Sequence, residues 1–194
     1  RYHIRMAIGH SVMTSFFAAN ALLPDGWAAN VRIEVDSGGD FSSIEKNSSS
    51  KDAEQLPGPA LPGMANLHSH AFQRAMAGLA EVRGRPDDDF WSWRELMYKF
   101  IERLTPERAQ AVATHLYVEM LKHGYTAVGE FHYVHDHSAE MLQRHLAAAM
   151  ETGIAITLLP SMYLWSNFGQ QPLQARQKRF ASGPGFVLDL IRKF

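Results

Sequence analysis

From Met64 onward the chain alternates between segments with strand patterning and segments with helix patterning. Three stretches have the β-branched and apolar character of strands: "MANLHSH", "YTAVGEFHYV" and "IAITLLPSMYL". Four stretches have helical periodicity: "AFQRAMAGLAE", "DFWSWRELMYKFIERL", "TPERAQAVATHLYVEMLKHG" and "SAEMLQRHLAAAMETG". Thr105 as N-cap, Pro106 at the first helical position and Gly124 beyond the end delimit the third helix. This order predicts an α/β architecture with parallel strands.

The preceding residues have a different pattern. Between residues 14 and 60, short β-like runs are separated by turn-forming sequences such as Pro24-Asp25-Gly26, which predicts a small β module. Residues 1–12 are basic and then mostly apolar, but polar residues such as His10 and Ser11 interrupt them, so we predict an upstream extension and not a secretory signal. No stretch approaches the roughly 18 apolar residues of a membrane span.

Composition narrows the classes of function. The 194 residues are 46% hydrophobic and 20% charged, and the formal net charge of -1 provides no basic surface for nucleic acid or an anionic membrane. A small-molecule substrate is therefore the expected partner, and a cytoplasmic location is expected. Cysteine is absent, so that His, Asp and Glu are the side chains left to hold a metal ion.

Two histidines end the first strand after Met64. Because side chains alternate along a strand, His68 and His70 are expected to point to the same face. At the carboxyl end of a barrel strand that face is the mouth of an active site, where two imidazoles suit a divalent metal, with zinc the first choice. A pair of exposed or hydrogen-bonded loop histidines is the alternative for an isolated H-x-H motif.

Several motifs carry a resemblance to a known family. "LPGMANLHSHAFQRAMAGLAE", "DDDFWSWRELMY", "LYVEMLKHGYTAVGEFHYVHD" and "TLLPSMY" resemble the amidohydrolase superfamily and, within it, the formimidoylglutamate deiminases of histidine degradation. The resemblance implies a small β-sandwich segment followed by a (β/α)8 TIM barrel. It also implies one Zn²⁺ per site, held in part by His68 and His70, although another divalent metal would fit. The implied reaction is hydrolysis of N-formimino-L-glutamate to N-formyl-L-glutamate and ammonia.

The resemblance also implies substrate-binding roles for Gln73, Arg94 and Tyr133. Each has a structural alternative: Gln73 could bond the first turn of its helix, Arg94 could be a solvated surface residue, and Tyr133 could belong to the core. Trp91 and Trp93 are interpreted as packing residues. Four further residues, at the end of the second strand, are expected behind the metal ligands or at the rim of the site: Glu130, His132, His135 and His137.

Length limits what the chain can contain. Only 131 residues follow Gly63 (194 − 63), whereas a full barrel takes about 250. We therefore assign residues 13–62 to a partial β-sandwich domain and 63–194 to the first, truncated part of a metal-dependent barrel. No catalytic acid or base is located in this chain, and such residues are expected beyond Phe194.

Alternatives to this function remain open at the level of sequence. One is a related amidohydrolase deaminase that acts on another small amidine or guanidine-like substrate. Another is a catalytically inactive truncated fragment, and the chain by itself is expected neither to turn over substrate nor to hold zinc tightly. A homodimer is an open expectation.

Overall fold

A computed structural model describes residues 13–194. The upstream extension predicted for residues 1–12 lies outside the described residues. The chain divides into two compact units between residues 64 and 65.

The first unit is one four-stranded sheet. Its strands are β1 (Thr14–Leu23), β2 (Gly26–Val35), β3 (Phe41–Glu45) and β4 (Glu54–Gln55). The order is β3-β2-β1-β4, in which β1 and β2 form an antiparallel hairpin and β4 runs parallel to β1. Small apolar residues, Ala18, Ala21 and Val31, form its core. A sandwich requires two facing sheets, and residues 13–64 form one, so the sandwich itself stays a prediction.

The second unit alternates strands and helices. Its strands are β5 (Met64–Ser69), β6 (Tyr125–His132) and β7 (Ala155–Pro160). Its α-helices are α1 (Phe90–Glu102), α2 (Pro106–Lys122), α3 (Glu140–Thr152) and α4 (Pro184–Lys193). The sheet order is β5-β6-β7, and β6 and β7 are parallel. The predicted mixed α/β alternation is confirmed, whereas the complete barrel stays a prediction.

Helix boundaries follow from local chemistry. The Thr105 hydroxyl accepts a hydrogen bond from the Arg108 amide at 3.3 Å, and Pro106 occupies the first turn of α2, as predicted. Asp89 caps α1 in the same way and forms a capping box with Ser92. Within residues 13–194, no helix combines the length and the apolar character needed to cross a membrane.

The predicted helix over "AFQRAMAGLAE" is wrong in type and length. The structure has a 3-10 helix at Ala71–Met76, followed by turns. Ala77 leaves helical geometry with ψ 135°, and Gly78 takes φ 82°, a left-handed conformation that glycine tolerates. Helical spacing of apolar residues therefore continues past the point where the backbone turns away. Two elements of the second unit were not predicted, α4 and a 3-10 helix at Ala175–Phe180.

The two faces of β6 have different surroundings. Val128, Glu130 and His132 alternate along the strand and are all buried. Val128 packs in a hydrophobic cluster with Tyr117 of α2 and residues of α3, so this is the helix-covered face. The intervening residues of β6 lie on the opposite face, the open face, which they share with His68 of β5.

Candidate metal and substrate site

His68 and His70 converge where β5 ends. His68 is in the strand, whereas His70 is the N-cap of the following 3-10 helix. Their Nε2 atoms are 3.1 Å apart, and their rings meet edge to face at a centroid distance of 4.7 Å. His68 is exposed and His70 is half-buried. The two imidazoles therefore present ring nitrogens to one point that solvent can reach.

Residue Phe131 of β6 fixes both rings. His70 Nδ1 lies 2.7 Å from the Phe131 carbonyl oxygen, which can only accept, so Nδ1–H is the donor. In the neutral imidazole this leaves Nε2 of His70 with a free lone pair. The His68 ring stacks on the Phe131 ring at a centroid distance of 4.4 Å. The tautomer of His70 and the planes of both rings are thus set by one residue of the neighbouring strand.

The geometry of this pair fits part of a zinc site. Zinc–nitrogen bonds of about 2.0–2.1 Å at tetrahedral angles place two ligand nitrogens roughly 3.3 Å apart, and the observed Nε2–Nε2 separation is 3.1 Å. Tetrahedral zinc requires four ligands. Across residues 13–194, no group of three or more His, Cys, Asp or Glu side chains is arranged to hold a metal ion. The pair could therefore supply two ligands of such a site.

Tyr133 and Gln73 lie next to His70. The edge of the His70 ring meets the Tyr133 ring at a centroid distance of 5.0 Å. Gln73 Nε2 donates to the Tyr133 hydroxyl at 3.2 Å. Burial raises the pKa of Tyr133 to about 12, so its hydroxyl stays neutral and can donate a hydrogen bond at physiological pH. The Gln73 side chain thus bonds Tyr133, which lies just beyond the end of β6, and not the first turn of its own helix.

Arg94 is linked to Tyr133 through the side chain of Tyr163. Its Nη2 donates to the Tyr163 hydroxyl at 2.5 Å, and the ring of Tyr163 stacks with that of Tyr133 at 6.5 Å between centroids. The guanidinium also lies over the ring of Tyr98, 5.6 Å from its centroid. Arg94 is half-buried, so it is held in place and is not a freely solvated surface residue.

The tryptophan pair separates into two roles. Trp93 is half-buried and packs against the hydrophobic cluster that contains Met97 and Tyr98, as predicted for a packing residue. Trp91 is 57% exposed, so the packing prediction is wrong for it. Arg94 lies over its ring at 5.8 Å from the centroid.

Two residues near Arg94 were missed by the sequence analysis. Gln177 is buried and donates to the hydroxyls of Tyr98 at 3.0 Å and Tyr163 at 3.4 Å. Tyr163 follows β7 in the quoted motif "TLLPSMY", and its position just beyond a strand end is a usable signal. Gln177 lies in the unpredicted 3-10 helix, and no sequence pattern marks it.

A cluster of ionisable groups lies on the helix-covered face of β6, behind the histidine pair. The ring centroid of His132 is 5.1 Å from that of His135 and 4.6 Å from that of His145 on α3. His145 Nε2 is 3.9 Å from Glu130 Oε1. Burial lowers the pKa of all three imidazoles, most strongly at His132, and raises the pKa of Glu130.

The four residues expected behind the metal ligands or at the rim of the site differ in burial. Glu130, His132 and His135 are buried, with exposures of 0%, 2% and 0%. His137 is exposed and has φ 57°. None of the four belongs to a metal-binding group within the described residues.

Two family models match the chain. Residues 13–58 match the formimidoylglutamate deiminase HutF N-terminal domain, and residues 60–186 match the amidohydrolase family. A formimidoylglutamate deiminase of Pseudomonas aeruginosa is 51% identical over 189 residues, which cover 93% of this chain and 42% of the relative. The chain thus spans less than half the length of that relative.

Solved structures agree with these matches. An amidohydrolase from Brucella melitensis has a TM-score of 0.84 and 49% identity, over 92% of this chain and 42% of that one. An atrazine chlorohydrolase from Arthrobacter aurescens, complexed with zinc, has a TM-score of 0.66 at 17% identity, over 92% of this chain and 43% of that one, and shares the fold. The amidohydrolase match covers well over half of the residues, so this chain belongs to the amidohydrolase family.

Proposed function

We propose that the protein to which these residues belong hydrolyses N-formimino-L-glutamate to N-formyl-L-glutamate and ammonia, with one zinc ion, in cytoplasmic histidine degradation. The observation that carries the proposal is the convergence of His68 and His70 next to a cluster of hydroxyl, amide and guanidinium groups. The 51% identity to a formimidoylglutamate deiminase supports the choice of substrate.

His68 and His70 would hold the metal through Nε2. The Phe131 carbonyl keeps the Nδ1 proton of His70 in place, so that Nε2 is available without a tautomer change. A bound zinc ion would lower the pKa of a water molecule to about 7, which supplies a nucleophile at neutral pH. The other metal ligands and the acid and base groups are expected beyond Phe194. The match covers only 42% of the Pseudomonas aeruginosa relative, so that protein has room for these groups outside the matched part.

The neighbouring side chains suit a substrate with two carboxylates. Arg94 has a fixed guanidinium, and such groups bind carboxylates through charge-assisted hydrogen bonds. The Tyr133 hydroxyl, which its raised pKa keeps neutral, can donate a hydrogen bond to the substrate. The Gln73 amide, bonded to the Tyr133 hydroxyl, can both donate and accept hydrogen bonds. These groups would orient the formimino carbon towards the metal site.

A second candidate is a related deaminase acting on another small amidine-type substrate. An 8-oxoguanine deaminase of Pseudomonas aeruginosa is 31% identical over 74 residues, which cover 38% of this chain and 16% of that relative. The presence of a half-buried arginine favours an acidic substrate over an uncharged base, because a guanidinium left without a counter-ion is costly to desolvate.

The proposal is tested by replacing Arg94 in the complete zinc-loaded protein. Arg94→Met should lower kcat/KM for ammonia release from N-formimino-L-glutamate at least about a hundredfold, since a lost charge-assisted contact costs roughly 3 kcal/mol. Lys99→Met is the matched control, because Lys99 is an exposed cation on the same helix α1.

The control should keep the activity of the parent protein. Equal activity of the parent and Arg94→Met proteins would return Arg94 to a structural role. A parent protein that deaminates an uncharged amidine faster than N-formimino-L-glutamate would favour the second candidate.

A further inference from the structure

Glu130 is a buried carboxylate with a specific partner in the segment that carries the histidine pair. Its side chain is 0% exposed, and Oε1 accepts a hydrogen bond from the Ala71 amide at 2.7 Å. Glu130 therefore contacts the residue directly after His70, from a strand about 60 positions later in the sequence.

The Ala71 amide has no alternative acceptor in its own helix. It is the first amide of the 3-10 helix Ala71–Met76, where N–H groups lack intrahelical partners. The N-cap residue is His70, and its side chain makes no capping hydrogen bond. Ala71 is fully buried, so water does not replace the missing cap. Glu130, distant in sequence, provides the hydrogen-bond acceptor that an N-cap side chain normally provides for the first turn of a helix.

Two consecutive residues of β6 hold two consecutive residues after β5. The Phe131 carbonyl accepts the Nδ1 proton of His70, and the Glu130 carboxylate accepts the amide proton of Ala71. One contact fixes the imidazole ring, and the other fixes the backbone from which that ring projects. One acceptor is a side-chain carboxylate and the other is a backbone carbonyl, so the segment at His70 is held by two independent groups of β6.

The surrounding groups distinguish Glu130 from its polar neighbours. Tyr117 and His145 lie in the same buried cluster, yet the Tyr117 hydroxyl and His145 Nε2 make no hydrogen bond in the described structure. Glu130 alone among these three reaches the backbone next to His70. Tyr117 therefore offers a buried polar atom that can be removed without touching the Ala71 contact.

We propose that Glu130 is a positioning residue for the metal-binding histidines, acting as the acceptor that fixes the backbone at His70–Ala71 through the Ala71 amide. This inference rests on the metal site of the proposed function, and it does not depend on the identity of the substrate. The acceptor oxygen is what the role requires, so a neutral side chain of the same length should suffice.

The test is the zinc affinity of the complete protein, measured by competition with a chromogenic chelator. Glu130→Leu should weaken zinc binding about 10- to 100-fold, which is the usual effect of losing a group that supports a metal ligand. Glu130→Gln keeps an acceptor at the same distance and should bind zinc within about threefold of the parent. Tyr117→Phe is the matched control and should bind zinc as the parent does.

Glu130→Asp covers the case in which the leucine variant does not fold. The shorter side chain keeps the charge but withdraws the oxygen from the Ala71 amide, so zinc affinity should fall about tenfold. Parent affinity in Glu130→Leu or Glu130→Asp would overturn the inference, and so would a glutamine variant as weak as leucine. With Co²⁺ as a spectroscopic probe, the affected variants should also show an altered ligand-field spectrum.

The result is separable from the substrate assignment. If the variants follow the expected order of zinc affinity but the parent protein releases no ammonia from N-formimino-L-glutamate, the proposed substrate fails and the positioning role of Glu130 stands. If activity is found and zinc affinity is the same in all variants, the positioning role fails and the proposed function stands.

Discussion

The open and helix-covered faces of β6 contrast sharply, although their residues alternate along one strand. On the open face, Phe131 packs against His68, and Tyr133, just beyond the end of the strand, packs against His70. On the helix-covered face, Glu130 and His132 are buried beneath α2 and α3. The open face presents histidine nitrogens to solvent, whereas the covered face keeps its ionisable groups away from it.

This difference shows that similar residue types serve different purposes on opposite sides of one sheet. His70 has Nδ1 bonded to a carbonyl, and its Nε2 faces Nε2 of His68 at 3.1 Å on the solvent-accessible side. His132 has neither nitrogen hydrogen-bonded in the described structure, and burial lowers its pKa so that it stays neutral. Exposure and a fixed tautomer make an imidazole available as a ligand, whereas burial with no partner makes it a costly core residue.

The largest expected difference between the faces is in zinc affinity. His70→Leu should weaken zinc binding about a thousandfold, because one of four ligands is lost from a site worth about 16 kcal/mol in total, or about 4 kcal/mol per ligand. The same substitution on the covered face, His132→Leu, should leave zinc affinity within about threefold of the parent. Isothermal titration of the complete apo-protein with zinc measures both, and equal losses would contradict the division of roles.

The pH dependence of stability probes the covered face. Burial lowers the pKa of His132 in the folded protein and keeps the imidazole neutral, whereas in the unfolded chain His132 titrates with the ordinary histidine pKa of about 6.5. The unfolded state therefore binds more protons as the pH falls, and His132 should lower the free energy of unfolding by up to about 2 kcal/mol between pH 7 and pH 5. His132→Leu should reduce the slope by this contribution, whereas His135 and His145, whose pKa values burial also lowers, keep theirs. His115→Gln, a change at an exposed histidine, should leave the slope as in the parent.

The comparison must be made between variant and parent in urea denaturation. The raised pKa of Glu130 acts in the opposite direction: its contribution is present at low pH and is lost as the pH rises through the folded pKa. Only the difference between the two proteins isolates His132. An unchanged slope in His132→Leu would show that this imidazole is not held neutral.

The smallest expected effect tests whether Tyr163 orients Arg94 on the open side of the site. Tyr163→Phe removes the hydroxyl that the guanidinium contacts and should raise KM for N-formimino-L-glutamate about tenfold with little change in kcat, since a hydrogen bond to a charged group is worth roughly 1.5 kcal/mol. Tyr98→Phe removes a hydroxyl that bonds Gln177 and not Arg94, and should change KM less than about twofold. Steady-state kinetics in which both variants behaved alike would speak against this role.

Local chemistry was sufficient to predict much of the second unit. Thr105 and Pro106 mark the start of α2 because capping and proline preferences act within a few residues. Strand alternation predicted that His68 and His70 share a direction, and their Nε2 atoms meet at 3.1 Å although His70 lies just beyond the strand. Their role as metal ligands stays a prediction.

What could not be predicted depends on residues distant in sequence. The 3-10 helix after His70 ends because the backbone turns at Ala77 and Gly78, a choice that apolar periodicity does not encode. Glu130 was expected behind the ligands or at the rim, but its bond to the Ala71 amide emerges only when β5 and β6 lie side by side. Gln177 likewise gains its partners from α1.

The central claim is that His68 and His70 bind one zinc ion through Nε2, and anomalous diffraction at the zinc absorption edge tests it most directly. Crystals of the complete zinc-loaded protein should show an anomalous peak about 2.0–2.1 Å from Nε2 of both histidines. The Nδ1 atom of His70 should remain bonded to the Phe131 carbonyl. A zinc peak at another place in the protein, or one bound through Nδ1 of His70, would contradict the claim.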